Sequence, residues 1–144
     1  MESFKYIGES RLSSYNDYDE YFENIRQSQS FYSSLAILEV SLRNKVDLYM
    51  TDKVGRNWIY NKKYHRKTNP KHLNYSKNKL IPELNFGFWV HLFSFKRGAL
   101  PFNEDEYKAF FNGYDGTVKD IYAILQQVLI FRNRVFHYEK VIND

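Results

Sequence analysis

Residues 117–137 read TVKDIYAILQQVLIFRNRVFH, a run with no Gly and no Pro. Its apolar residues Ile121, Leu125, Val128 and Val135 fall on one face when each residue advances about 100° around a helix. Thr117 stands where an N-cap belongs, and Asp120 follows three residues later in a capping-box-like position. The pattern predicts one long helix over about 117–138. Upstream, Gly113 and Gly116 separate it from a helix predicted over Glu104 to Asn112. Asn103 is the cap of that helix, and Glu104, Asp105 and Glu106 suit the dipole of its first turn. The aromatic stretch Glu83 to Phe95 has helical neighbours and no hairpin partner, so it reads as a buried helix ended by Gly98 and Pro101. A helix restarts near His72 to Leu80, with Pro82 stopping or kinking it. From Asp17 to about Met50, Phe31, Leu35, Leu38, Leu42, Val46 and Tyr49 draw a second helical stripe, with Ser28 to Ser30 as its candidate break. Repeats and internal linkers are absent from the sequence. The expectation is an all-α bundle forming a single domain over 1–144.

The composition agrees with one globular unit. A chain of 144 residues with 43% hydrophobic and 19% aromatic residues has material for a core without disulfides or metal staples. The absence of Cys excludes thiol catalysis and Cys-based zinc sites. No apolar run approaches the roughly 18 residues that span a bilayer. Met1 to Ser10 carries Glu2 and Glu9 and lacks the basic start and apolar stretch of a secretory signal, which makes the expected location cytoplasmic.

Charge is distributed unevenly. Lys53, Arg56, Lys62, Lys63, Arg66, Lys67, Lys71, Lys77 and Lys79 form a block of nine cations without one acid. The remainder of the chain is net acidic. Trp58, Tyr60, Tyr64 and Tyr75 interleave with the block, so a polyanion would find both charge and stacking surfaces there. RNA is the natural partner, with Lys62, Lys63, Arg66, Lys67 and Lys71 as its candidate contacts. The alternative is a solvated basic loop over about 53–79. His65 and His72 have no carboxylate or thiol beside them, and no metal or other cofactor is expected.

Arg132 interrupts the apolar stripe of the last helix. With Ile121 at zero, Arg132 falls at about 20°, Asn133 at about 120° and His137 at about 160°. A guanidinium in an apolar face needs a partner, either inside the domain, with Glu39 as a candidate, or an anion in a cleft. Arg43 follows Glu39 at i, i+4 spacing, so these two serve as an intrahelical pair and structural support. Arg132 and His137 meet on one phosphate only if the arginine wraps, the helix unwinds, or a second copy supplies the missing group across a two-fold axis. The residue types suit RNA cleavage without metal: imidazole moves protons near neutral pH, and guanidinium grips phosphate oxygens with a planar fork. As a bare pattern, Arg and His at this separation are weak; Arg66 and His72 match it too, across Pro70.

The surrounding residues are more specific. Arg132-Asn133-Arg134-Val135-Phe136-His137 is similar to the closing motif of Abi-like (abortive infection, AbiD/AbiF type) HEPN-domain proteins. Leu38-Glu39-Val40-Ser41-Leu42-Arg43-Asn44 resembles that family's first-helix signature, and Leu84 to Phe93 resembles its aromatic central segment. The resemblance implies a HEPN-type helical bundle, a homodimer that joins two Arg/His motifs in one composite site, and a metal-independent endoribonuclease of bacterial antiphage defence. It makes Arg132 the phosphate and transition-state ligand, Asn133 its polar orienter and His137 the acid/base. Where relatives often continue His-His-Glu-Pro, this chain has His137-Tyr138-Glu139-Lys140.

Two other readings stay open. In one, the chain is a noncatalytic RNA-binding module that holds a small RNA on its basic block, with Arg132 structural. In the other, it is the HEPN toxin half of a toxin–antitoxin pair. Phe86, Phe88, Trp89 and Phe93 read as core or interface aromatics rather than a base-stacking platform.

Overall fold

The computed structural model describes residues 6–65, 70–94 and 99–142. Among them the secondary structure is helical throughout: α1 Glu9–Leu12, α2 Tyr18–Val54, α3 Lys77–Glu83, α4 Phe86–His91, α5 Glu104–Phe110 and α6 Val118–Phe136. The all-α class follows from the sequence patterns above. Residue contacts group into two compact units, 1–38 with 130–144, and 39–129.

The 37 residues of α2 form one uninterrupted helix. No Gly or Pro occurs between Glu9 and Val54, so nothing in the backbone chemistry breaks it. Asp17 caps the start by accepting from the Glu20 amide at 2.8 Å, while the Glu20 carboxylate accepts from the Asn16 amide at 2.6 Å. Gly55 ends it at φ 109°, a conformation that side chains resist. The serines at 28–30 are accommodated without a break, since Ser28 is buried and the Ser30 hydroxyl donates back to the Gln27 carbonyl at 2.7 Å.

In the unit of 1–38 with 130–144, Asn24, Ser28 and Leu35 line the buried face of α2, and Val135 and Val141 are buried from the carboxy-terminal side. Phe31 meets Phe131 edge-on at 4.9 Å, and Tyr32 stacks on Phe136 at 5.2 Å. Asn24 is fully buried, and its amide is spent on backbone. Its Nδ2 donates to the Glu139 carbonyl at 3.0 Å, and its Oδ1 accepts from the Val141 and Ile142 amides at 2.6 and 3.3 Å. Lys140 adds an ion pair with Glu20 at 2.6 Å and a bond to the Ser14 carbonyl at 2.9 Å. The segment after α6 thus lies against α2 by polar contacts as much as by burial.

In the unit of 39–129, Leu42, Val46 and Met50 of α2 are buried with Trp58, Ile59, Leu80, Trp89, Phe93, Phe110, Ile121 and Leu125 in one apolar cluster. Phe93, Phe110 and Phe111 pack with centroids 4.9–5.5 Å apart. The helix predicted over Glu83 to Phe95 is shorter than its sequence suggests. Leu84 and Asn85 are extended, and the Asn85 side chain accepts from the Phe88 amide at 2.9 Å, so a cap starts α4 where one continuous helix is predicted. Pro82 sits inside the last turn of α3, which ends one residue later. Gly98, the predicted stop, lies outside the described residues. The two predicted caps are present: Asn103 and Glu106 form a complete capping box on α5, and Thr117 and Asp120 bond reciprocally at the start of α6. Among the described residues no helix is long and apolar enough to cross a membrane.

Candidate functional site

The α6 register decides what surrounds His137. The His137 amide still donates to the Asn133 carbonyl at 2.8 Å, so helical geometry persists to this residue. Two further bonds close the helix: the Tyr138 amide donates to the Val135 carbonyl at 3.2 Å and the Glu139 amide to the Arg134 carbonyl at 2.8 Å. Tyr138 adopts φ 56°. This is a Schellman turn with His137 at the C-cap and a tyrosine at the left-handed position that usually belongs to glycine. Arg11 reinforces it, its Nη1 donating to the His137 and Tyr138 carbonyls at 2.9 Å each. The exposed His137 side chain is therefore carried on a backbone fixed from both sides.

Arg132 is half-buried, with its guanidinium carbon 4.3 Å from the centroid of the Phe136 ring one turn on. Its Nη1 also reaches the Asn133 Oδ1 at 3.5 Å. The structure thus brings Arg132 and Asn133 together, and Asn133 is the residue that shares the His137 face. The Phe136 ring stacks in turn on Tyr32, whose phenol neighbours that of Tyr138. Burial pushes the Tyr32 phenol above its ordinary pKa, and neighbouring Tyr138 adds to the rise.

The basic segment belongs to the unit of 39–129 and is less of a loop than its sequence suggests. It folds into 3-10 turns at Trp58–Tyr60, Lys62–Tyr64 and Pro70–Asn74, followed by α3. Trp58 and Tyr64 are buried, so they serve the core and offer no stacking surface to a ligand. The hydrophobic yield of burying rings outweighs any advantage of leaving them open. Two of the cations are committed to carboxylates: Lys53 pairs with Glu106, and Lys77 pairs with Asp47 at 2.7 Å. Asp47 also accepts from the Trp58 indole at 2.8 Å, and Lys77 donates to the Thr51 hydroxyl at 2.8 Å, which fastens the turns to α2. Lys62, Lys63 and Lys71 are exposed, whereas Arg66 and Lys67 lie outside the described residues. Lys63 and Lys79 lie over the rings of Tyr64 and Tyr75 at 4.7 and 4.0 Å. His65 stacks on Phe88 and His72 on Tyr75, so both imidazoles have packing roles.

Glu39 and Arg43 lie in this same unit, half-buried on α2. Phe86, Trp89 and Phe93 are fully buried core residues and Phe88 is half-buried. Among the described residues no three His, Asp or Glu side chains converge as metal ligands would.

Sequence reasoning missed Arg11, Asn24, Tyr32 and Tyr138. Asn24 and Ser28 were in principle visible, because they continue the buried stripe of Leu35, Leu42 and Val46 toward the amino terminus in helical phase. Arg11 gave no local signal. Compared with known proteins, the chain matches no family model, no curated protein and no solved structure.

Proposed function

We propose that the chain is a metal-independent RNA endonuclease of bacterial antiphage defence that works as a homodimer. The observation that carries this reading is the exposed His137, held at the C-cap of α6 with Asn133 on its face and Arg132 bonded to Asn133. The likeness of Arg132 to His137 to the closing motif of Abi-like HEPN proteins supports it. In the reaction the 2′-oxygen attacks the adjacent phosphorus as His137 accepts its proton, and the bond from phosphorus to the 5′-oxygen breaks. The departing 5′-oxygen takes a proton from a second acid, which the partner copy's motif supplies in a composite site. The products are a 2′,3′-cyclic phosphate and a 5′-hydroxyl, and the guanidinium of Arg132 offsets charge on the pentacoordinate phosphate. The exposed Lys62, Lys63 and Lys71 give the RNA backbone a sequence-independent hold.

End-labelled single-stranded RNA incubated with the purified protein in EDTA tests this. Wild type is expected to leave cyclic-phosphate ends, and His137→Ala to lose at least about 100-fold in rate while binding RNA as before. Equal cleavage by both proteins would refute the assignment.

A second reading, an RNA-binding module without catalysis, draws on the packing of Arg132 against Phe136, which suits a structural arginine. Under it no cyclic phosphate forms, and neutralising Lys62, Lys63 and Lys71 abolishes RNA binding.

A further inference from the structure

The arginine nearest to His137 in register is not Arg132. On the same α6 wheel Arg134 falls at about 220°, within about 60° of His137, whereas Arg132 is about 140° away. Residues three and four apart on a helix have Cβ atoms about 5–6 Å apart, so Arg134 and Asn133 are both first neighbours of His137 on its own face. On this side of α6, Ile130, at about 180°, is 54% exposed and His137 is exposed, while Asn133 and Arg134 are half-buried. Arg132 lies on the other side, against the Phe136 ring.

Electrostatics at this helix end also matter. A helix C-terminus carries partial negative charge on its last carbonyls and repels phosphate. Here the carbonyls of Asn133, Arg134 and Val135 accept backbone amides, and those of His137 and Tyr138 accept the Arg11 guanidinium. The repulsion is covered, and a full positive charge stands beside the turn.

We propose that Arg134 is the guanidinium that grips the phosphate for His137 within one chain, with Asn133 as a neutral donor beside it. The ligand class is a phosphodiester, as linear substrate or cyclic product. This rests on the nuclease reading for its substrate but not for the anion site itself. In a dimer, Arg132 then reaches the partner's site, while Arg134 serves in cis.

The first test is titration of the 13C-labelled protein with inorganic phosphate, following the His137 ring by NMR. Phosphate is expected to shift the ring signals, Arg134→Met to weaken that response about tenfold or more, as loss of a charge-assisted fork requires, and Arg26→Met, at an exposed arginine paired with Glu23, to leave it within about twofold. A His137 ring indifferent to phosphate in the wild type, or an unchanged response in Arg134→Met, overturns the proposal. The second test is RNA cleavage in EDTA, where Arg134→Lys should recover less than the full rate because ammonium lacks the planar fork. Cleavage that dies in His137→Ala yet survives intact in Arg134→Met sinks the role of Arg134 and keeps the nuclease. Phosphate binding lost in Arg134→Met, in a protein that cleaves nothing, keeps the anion site and sinks the nuclease.

Discussion

Replacing Asn24 by Ala should release the segment that follows α6. The side chain is fully buried and makes three hydrogen bonds to backbone, at 2.6, 3.0 and 3.3 Å. Val141, whose amide receives the shortest, is itself 8% exposed, so water cannot replace the lost partner cheaply. One buried amide left unpaired costs about 1–3 kcal/mol, and a further loss of about 0.5 kcal/mol attends each of the two bonds nearer to solvent. The expected destabilisation is about 2–4 kcal/mol. Asn24→Leu fills the same space without bonding, so comparing the two variants separates lost bonds from an empty volume. The assay is hydrogen exchange at the Val141 amide together with urea unfolding. Loss of 2 kcal/mol corresponds to about 30-fold faster exchange through local opening. Wild-type protection of Val141 in both variants, or a stability change below about 0.5 kcal/mol, would refute the clamp.

Asp47→Ala removes the acceptor of both the Lys77 ammonium and the Trp58 indole and should cost about 1–3 kcal/mol, since the Lys77 side chain is 15% exposed; Asp47→Asn should recover the indole bond alone, as urea unfolding of the two would show. Hydrogen bonds hold three carboxylates below their ordinary pKa: Glu20 by Lys140 and the Asn16 amide, Glu106 by Lys53 and the Asn103 amide, and Asp120 by the Thr117 hydroxyl and amide. Their folded values lie below the unfolded ones, so the stability they give is complete above roughly pH 5 and is lost as pH falls through the folded values. The melting temperature should be flat from about pH 5 to 7 and drop in more acid solution, less so in Glu20→Gln; a melting temperature unchanged at about pH 3 counts against these caps. Neutralising Lys62, Lys63 and Lys71 to Gln should lower the slope of log affinity against log salt for single-stranded RNA by about 2, with no change in melting temperature. An unchanged slope would place the RNA elsewhere.

Local rules made α5 and α6 legible. Asn103 with Glu106 and Thr117 with Asp120 act within one turn, and a sequence displays such neighbours directly. The face of His137 was legible for the same reason, since it depends on one helix. The break at Leu84 and Asn85 was missed because aromatic richness dominated a window in which one asparagine offers a cap. The burial of Trp58 and Tyr64 was missed because nine cations in the same stretch suggested solvent; here the turns expose lysines and tuck rings inward, at a scale finer than charge averaging. Asn24 and Arg11 bond to backbone atoms 115–127 residues away. A backbone acceptor has no side-chain identity, so no pairing of residue types could have foretold either.

Tyr138 links the turn to the site. Glycine at φ 56° would close the Schellman turn without steric cost, whereas tyrosine there loses about 1 kcal/mol against its neighbouring carbonyl. The loss is offset by the Arg11 bonds to the His137 and Tyr138 carbonyls, which secure the turn. Strain that persists under such support marks a backbone position held for its geometry. What is held is the C-cap immediately before it, His137. The same guanidinium that secures the turn offsets the partial negative charge of that carbonyl end, which favours the proposed approach of phosphate. Arg11 and Tyr138 therefore fix the turn that carries His137, and in the proposed site the cost of an unusual turn is borne by the groups that hold its imidazole in place.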